Sequence, residues 1–116
     1  KTYLSKRSKM ALMVWIDLQV REGNFSAVDE MMKSSQGMAF TKSQKGCERL
    51  ERSIHSEDSN HIMLTERWTS KGDWDAYFAI RQKEIEEGGL FSKLPSLLDG
   101  EDALKITFSE IDHIAD

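Results

Sequence analysis

The stretch TERWTSKGDWDAYF, residues 65–78, sets Glu66 beside Trp68, Trp74, Tyr77 and Phe78. Four aromatic side chains so close together either line a pocket for an apolar ring or fill a core. Glu66 and Trp68, two residues apart, share one face of any strand they occupy. On a face that looks into an apolar cavity, Glu66 would be a desolvated carboxylate of raised pKa and a usable base. On the opposite face it would pair with an arginine such as Arg49 or Arg52. The pairing is the expectation, because unpaired buried carboxylates are rare.

Other chemistry-bearing residues are sparse. Cys47 is the only cysteine, so neither an internal disulfide nor a multi-cysteine zinc site can form. With no base recognisably beside it, Cys47 is expected to be a small buried apolar residue. His55 and His61 flank SEDSN (56–60), a turn-like run, and can face each other across a hairpin. That supplies two of the three or four ligands zinc needs; no third is evident and His113 has no defined neighbour, so no metal is expected. No Gly-x-Gly-x-x-Gly or Walker-type loop offers a nucleotide cradle, and no cofactor is expected.

The elements that must hold these residues follow from periodicity. In ALMVWIDLQV (11–20), Leu12, Val14, Ile16, Leu18 and Val20 alternate with Met13, Trp15, Asp17 and Gln19, which predicts a strand. Trp15 and Met13 on its second face imply cover on both sides. Phe25, Val28, Met32 and Ala39 predict one helix over 25–42, with Asn24 or Ser26 as cap and Met31, Met32 and Met38 as adaptable packing. CERLERSIH (47–55) and HIMLTERWTS (61–70) form a predicted hairpin. Ser70 with Asp73 is a capping pair, and Trp74, Tyr77, Phe78, Arg81 and Ile85 recur at helical spacing until Gly88-Gly89. LFSKLPSLL (90–98) reads as a short apolar helix or turn, and Leu104, Ile106 and Phe108 mark a last strand ending near Asp112. The order βαββαβ is the ferredoxin-like α+β plan, a four-stranded antiparallel sheet with two helices on one face.

The length, 116 residues, fits one domain over 10–116 with an N-terminal extension at 1–9. Lys1, Lys6, Arg7 and Lys9 make that extension basic without any acid, so the body is more acidic than the net charge of -4 suggests. An acidic body repels phosphate backbones, which argues against nucleic acid as a partner. No apolar run is long enough to cross a bilayer, so no membrane association is expected. The extension is too short for a signal peptide and lacks its apolar core, and the cytoplasm is the expected compartment.

A strand closed by Gly23, a helix of fitting length, KGCERLE (45–51) and above all ERWTSKGDWDAY (66–77) resemble the antibiotic biosynthesis monooxygenase domains of the dimeric α+β barrel superfamily, over about residues 10–112. The resemblance implies a homodimer whose sheets pack face to face, and a cavity between each sheet and its own helices for a small apolar molecule. It implies a cofactor-free monooxygenase acting on an apolar aromatic or acyl substrate, as in relatives that act on electron-rich polycyclic phenols whose own anion passes an electron to dioxygen; the alternative is the same cavity binding an apolar molecule without transforming it.

Under the resemblance, Tyr77 is the candidate catalytic residue, and Trp68, Tyr77, Phe78, Arg81, Ile16, Leu18 and Phe91 are the candidate substrate-binding residues. The histidine expected in the family falls on Tyr77, which at a reference pKa of about 10 is mainly a hydrogen-bond partner. Arg81, one turn on, could stabilise a phenolate or carboxylate at the cavity mouth, although its expected course is along the helix into water. Haem-degrading relatives carry asparagine, tryptophan and histidine where this chain has Ile16, Tyr77 and Glu87, so haem breakdown is disfavoured.

Overall fold

The computed structural model describes residues 11–116, so the expected extension at 1–9 lies outside the described residues. Strand β1 (Leu12–Gln19) is followed by helices α1 (Phe25–Lys33) and α2 (Met38–Ser43) and the hairpin β2 (Cys47–Ile54) and β3 (His61–Trp68). Helix α3 (Lys71–Glu86), a 3-10 turn at Leu90–Lys93 running into the short α4 (Leu94–Leu97), and β4 (Leu104–Glu110) complete the chain. The strands lie in the order β2-β3-β1-β4, all antiparallel. This is the ferredoxin-like α+β fold read from the sequence.

The single helix expected over 25–42 is two helices. The backbone leaves helical geometry after Lys33 and re-enters at Met38. Gly37 allows the turn: a Cβ there would collide with the carbonyls of Met31 and Met32, so only glycine lets the chain double back this closely. Asn24 stands at the N-cap of α1, but its side chain turns to the Leu97 carbonyl at 3.4 Å instead of capping. The cap expected at Ser70 forms, with the Asp73 amide donating to its hydroxyl at 3.1 Å. Arg52 on β2 reaches Asp29 on α1 at 2.6 Å and ties helix to sheet.

Register separates the two faces of the sheet. Val14 lies opposite Glu66 and Phe108, and Ile16 opposite Leu64 and Ile106, all on the helix-covered side. Two buried clusters form there, one around Leu18, Val28, Met32 and Ile62, the other around Val14, Trp68, Trp74 and Tyr77, with Ile16 packed against both. The other face carries Met13, Trp15, Asp17 and Gln19 against Arg67, Thr65, Met63 and His61. Trp15 is 43% exposed in the single chain and donates its indole N–H to Ser109 at 2.9 Å. The apolar second face expected from Trp15 and Met13 is therefore a mixed one, because their cross-strand neighbours are mostly charged or hydroxyl-bearing.

Candidate functional site

A cavity of about 170 Å³ opens between the sheet and the helices, where the two core clusters meet. Its floor is Ile16, Leu18, Leu50, Leu64 and Ile106 from the sheet. Its roof comes from Met32, Met38 and Thr41 on the α1–α2 side, Trp74, Tyr77, Phe78 and Arg81 on α3, and Phe91 and Leu94 beyond it. Six of the seven candidate binding residues, Ile16, Leu18, Tyr77, Phe78, Arg81 and Phe91, border this space. Trp68 does not: it is wholly enclosed behind the wall, stacked on Tyr77 with ring centroids 5.3 Å apart.

Arg81 does not run out into water. It is 7% exposed, because the break between α1 and α2 supplies carbonyl acceptors that a straight helix would have kept for itself. All five guanidinium N–H donors are placed. Nε donates to the Tyr77 hydroxyl at 3.1 Å, Nη1 to the Gln36 carbonyl at 2.9 Å and to Glu84 at 3.3 Å, and Nη2 to Thr41 Oγ1 at 3.0 Å and the Gly37 carbonyl at 3.4 Å. The guanidinium also lies over the Phe91 ring at 4.3 Å. With every donor taken, Arg81 offers a bound molecule its charge rather than a hydrogen bond.

Tyr77 is tied into the same network, its hydroxyl 2.7 Å from Thr41 Oγ1. Burial pushes that phenol above its ordinary value of 10.0, with the Thr41 bond and Arg81 pulling the other way. Tyr77 is thus a neutral phenol near neutral pH, suited to holding geometry rather than to taking a proton.

Glu66 faces the cavity, not an arginine. Arg49 pairs with Glu51 and Arg52 with Asp29, so the pairing expected from the sequence does not occur. Glu66 is 3% exposed and its Oε1 accepts the Trp68 indole N–H at 2.8 Å. Burial raises its pKa above the ordinary 4.5, and the Trp68 bond and the Arg81 charge only partly offset this. No donor among the described residues reaches Oε2. Trp74, another lining residue, has a buried indole N–H with no acceptor among the described residues. The second oxygen of Glu66 is therefore the unspent acceptor of an otherwise apolar site, while the Trp74 N–H is buried within the wall.

Cys47 is buried behind Glu66, and desolvation together with that carboxylate pushes its thiol up to about 11, the opposite of an activated nucleophile. His55 and His61 do meet across the hairpin, their rings stacked at 5.3 Å, and His61 contacts Asp17 at 2.8 Å. Among the described residues no group of three or more His, Cys, Asp or Glu is arranged to hold a metal ion. No helix of the described residues is long and apolar enough to cross a membrane.

Sequence reasoning missed Thr41, the Gln36 and Gly37 carbonyls and the Trp74 N–H. Only the polar Thr41 near the end of an apolar helical pattern hinted at any of them.

The profile of the antibiotic biosynthesis monooxygenases matches residues 11–81, more than half of the chain. The chain belongs to this family. No curated protein shows significant similarity to it. Among solved structures, a conserved protein from Methanosarcina mazei superposes with a TM-score of 0.72 at 23% identity, over 90% of this chain and 96% of the other. A Deinococcus radiodurans protein provisionally named an antibiotic biosynthesis monooxygenase gives 0.71 at 16%, over 90% and 96%. A Bacteroides thetaiotaomicron protein of unknown function gives 0.70 at 16%, over 89% and 99%. At these identities the likeness speaks for the fold, and the antibiotic biosynthesis monooxygenase cavity of this chain has to be read from its own residues.

Proposed function

We propose that this protein is a cofactor-free monooxygenase acting on an apolar aromatic or acyl substrate held between sheet and helices. The observation that carries this reading is the cavity between sheet and helices, apolar over nearly all its lining and bearing one buried carboxylate beside the Arg81–Tyr77–Thr41 network. One atom of dioxygen enters the substrate and the other leaves as water, the electrons coming from the substrate itself as its methylene becomes a carbonyl. The protein's part is to bind, to remove a proton and to keep water out. Tyr77 and Arg81 hold the polar end: their shared network fixes a positive charge beside the cavity, where an anion forming in the substrate is stabilised without rearrangement.

The same reading has the sheet's outer face covered by a second copy, which would enclose Trp15 and its neighbours Met13 and Met63. The compartment that fits a lone buried thiol and no disulfide is the cytoplasm.

Oxygen uptake with a panel of ring compounds bearing an activated methylene tests the proposal, alongside the variant Ile16→Trp, which fills the cavity from its floor. Uptake by the native chain that falls at least tenfold in the filled variant supports it. Native mass spectrometry showing a retained apolar molecule without any uptake would instead make the protein a binder, a reading favoured by the complete internal use of Arg81's donors.

A further inference from the structure

The size of the cavity and the unspent oxygen of Glu66 together define a ligand more narrowly than the apolar lining does. About 170 Å³ is close to the roughly 150 Å³ of an engineered apolar cavity that accepts benzene, and below the roughly 300 Å³ at which drug-sized sites begin. One six-membered ring fits within that space; a fused polycycle extends beyond it toward the open side. A ring alone would leave the second oxygen of Glu66 unsolvated, which is costly for a buried carboxylate.

We propose that Glu66 is the catalytic residue that takes the proton of a neutral, single-ring hydroxylated substrate, the hydroxyl donating to Oε2 before transfer. This rests on the reading of the cavity as a substrate site. In the step itself the substrate O–H bond breaks, the proton passes to Oε2 and the electron pair stays on the substrate oxygen as a phenolate or enolate. When Glu66 is ionised the cavity holds one negative charge before the transfer and one after it, so burial does not oppose the step as it would the ionisation of an isolated phenol. Oε1 stays fixed by the Trp68 indole at 2.8 Å, which aims the carboxylate. Arg81, whose charge already acts on Glu66, stabilises the new anion.

The groups packed around Glu66 keep the titration simple. From α3 come Arg81 and Tyr77, from β2 comes Cys47, and the residues directly opposite it in the sheet, Val14 and Leu50, are apolar. Arginine keeps its charge throughout, and burial raises both the phenol and the thiol. Glu66 is the carboxylic acid of this set, and burial raises it from its ordinary value.

The test compares 4-methylphenol with its methyl ether, 4-methylanisole, by isothermal titration against the native protein, Glu66→Gln and Glu66→Asp. The expected result is a preference of about tenfold or more for the phenol, the worth of one hydrogen bond to a charged group. That preference shrinks as the pH is lowered through the titration of Glu66 and is small and pH-independent in Glu66→Gln. With a turned-over ring substrate, Glu66→Gln lowers kcat at least a hundredfold with the acid limb of the rate profile gone, while Glu66→Asp restores the limb. An equal preference in Glu66→Gln and native protein, or a native preference unchanged over the whole pH range in which the protein stays folded, overturns the assignment of Glu66 alone. A native protein that binds neither probe overturns the cavity reading beneath it. The native pH series needs no variant to fold.

Discussion

Glu66 and Arg67 are neighbours in sequence and live on opposite sides of one sheet. Glu66 points under the helices, is 3% exposed, accepts one hydrogen bond from Trp68 and has its pKa raised by burial. Arg67 points outward, is partly exposed and pairs with Glu48 at 2.9 Å. A surface pair of that kind is worth between nothing and about 1 kcal/mol, because water and salt screen it. A carboxyl group with one partner inside an apolar cavity is instead a cost whenever it is ionised, and a fold keeps such a cost mainly where it serves a site. The helix-covered face is therefore where chemistry is to be sought, and the outer face is where association is to be sought.

The largest effect that would sharpen this contrast is on stability. Trp68→Ala removes a fully enclosed ring that stacks on Tyr77 and donates to Glu66. Urea unfolding should show a loss of about 4 kcal/mol; a loss below 1 kcal/mol would mean that the buried face is far less tightly packed than described.

A second test reads the buried carboxylate by linkage. Because the folded pKa of Glu66 lies above its ordinary 4.5, the folded state holds its proton more tightly than the unfolded chain does. Stability from this group is complete below pH 4.5 and declines as the pH rises through the folded value. Unfolding free energies of Glu66→Gln, measured against native protein from acid to neutral pH, should therefore rise relative to native as the pH increases. A pH-independent difference would place Glu66 in water, like Arg67.

The smallest effect belongs to the outer face. Trp15→Ser removes a ring that is 43% exposed in the single chain and donates to Ser109, so the subunit itself should lose about 1 kcal/mol, well below the loss in Trp68→Ala. If a second copy covers this face as proposed, sedimentation should show pairs in the native protein and single subunits in the variant. If the native protein sediments as one chain, the outer face has no partner and the contrast between the faces loses its second half.

Much of the frame was legible in the residues. Alternation in residues 11–20 and 104–108, turn chemistry at 56–60, and the Ser70 cap delivered the strands, the hairpin and helix α3 at their places. The break after Lys33 was not legible, since Met31, Met32 and Met38 continue an apolar helical pattern across it and Gly37 betrays its role only through backbone that approaches from the preceding helix. From that break followed the largest misreading of the site, the course of Arg81. A helical position with a long cationic side chain ordinarily reaches water; here the carbonyls of Gln36 and Gly37, 45 and 44 residues away along the chain, capture it.

The sequence alone determined the element order, the ferredoxin-like fold and the fact that Glu66 shares a face with Trp68, because these depend on local periodicity and turn chemistry. Only the tertiary structure decided that this face is the covered one, that Arg81 is buried, and that Glu66 keeps an unspent oxygen. A period of two says which side chains lie together and is silent on which side of the sheet the helices will close.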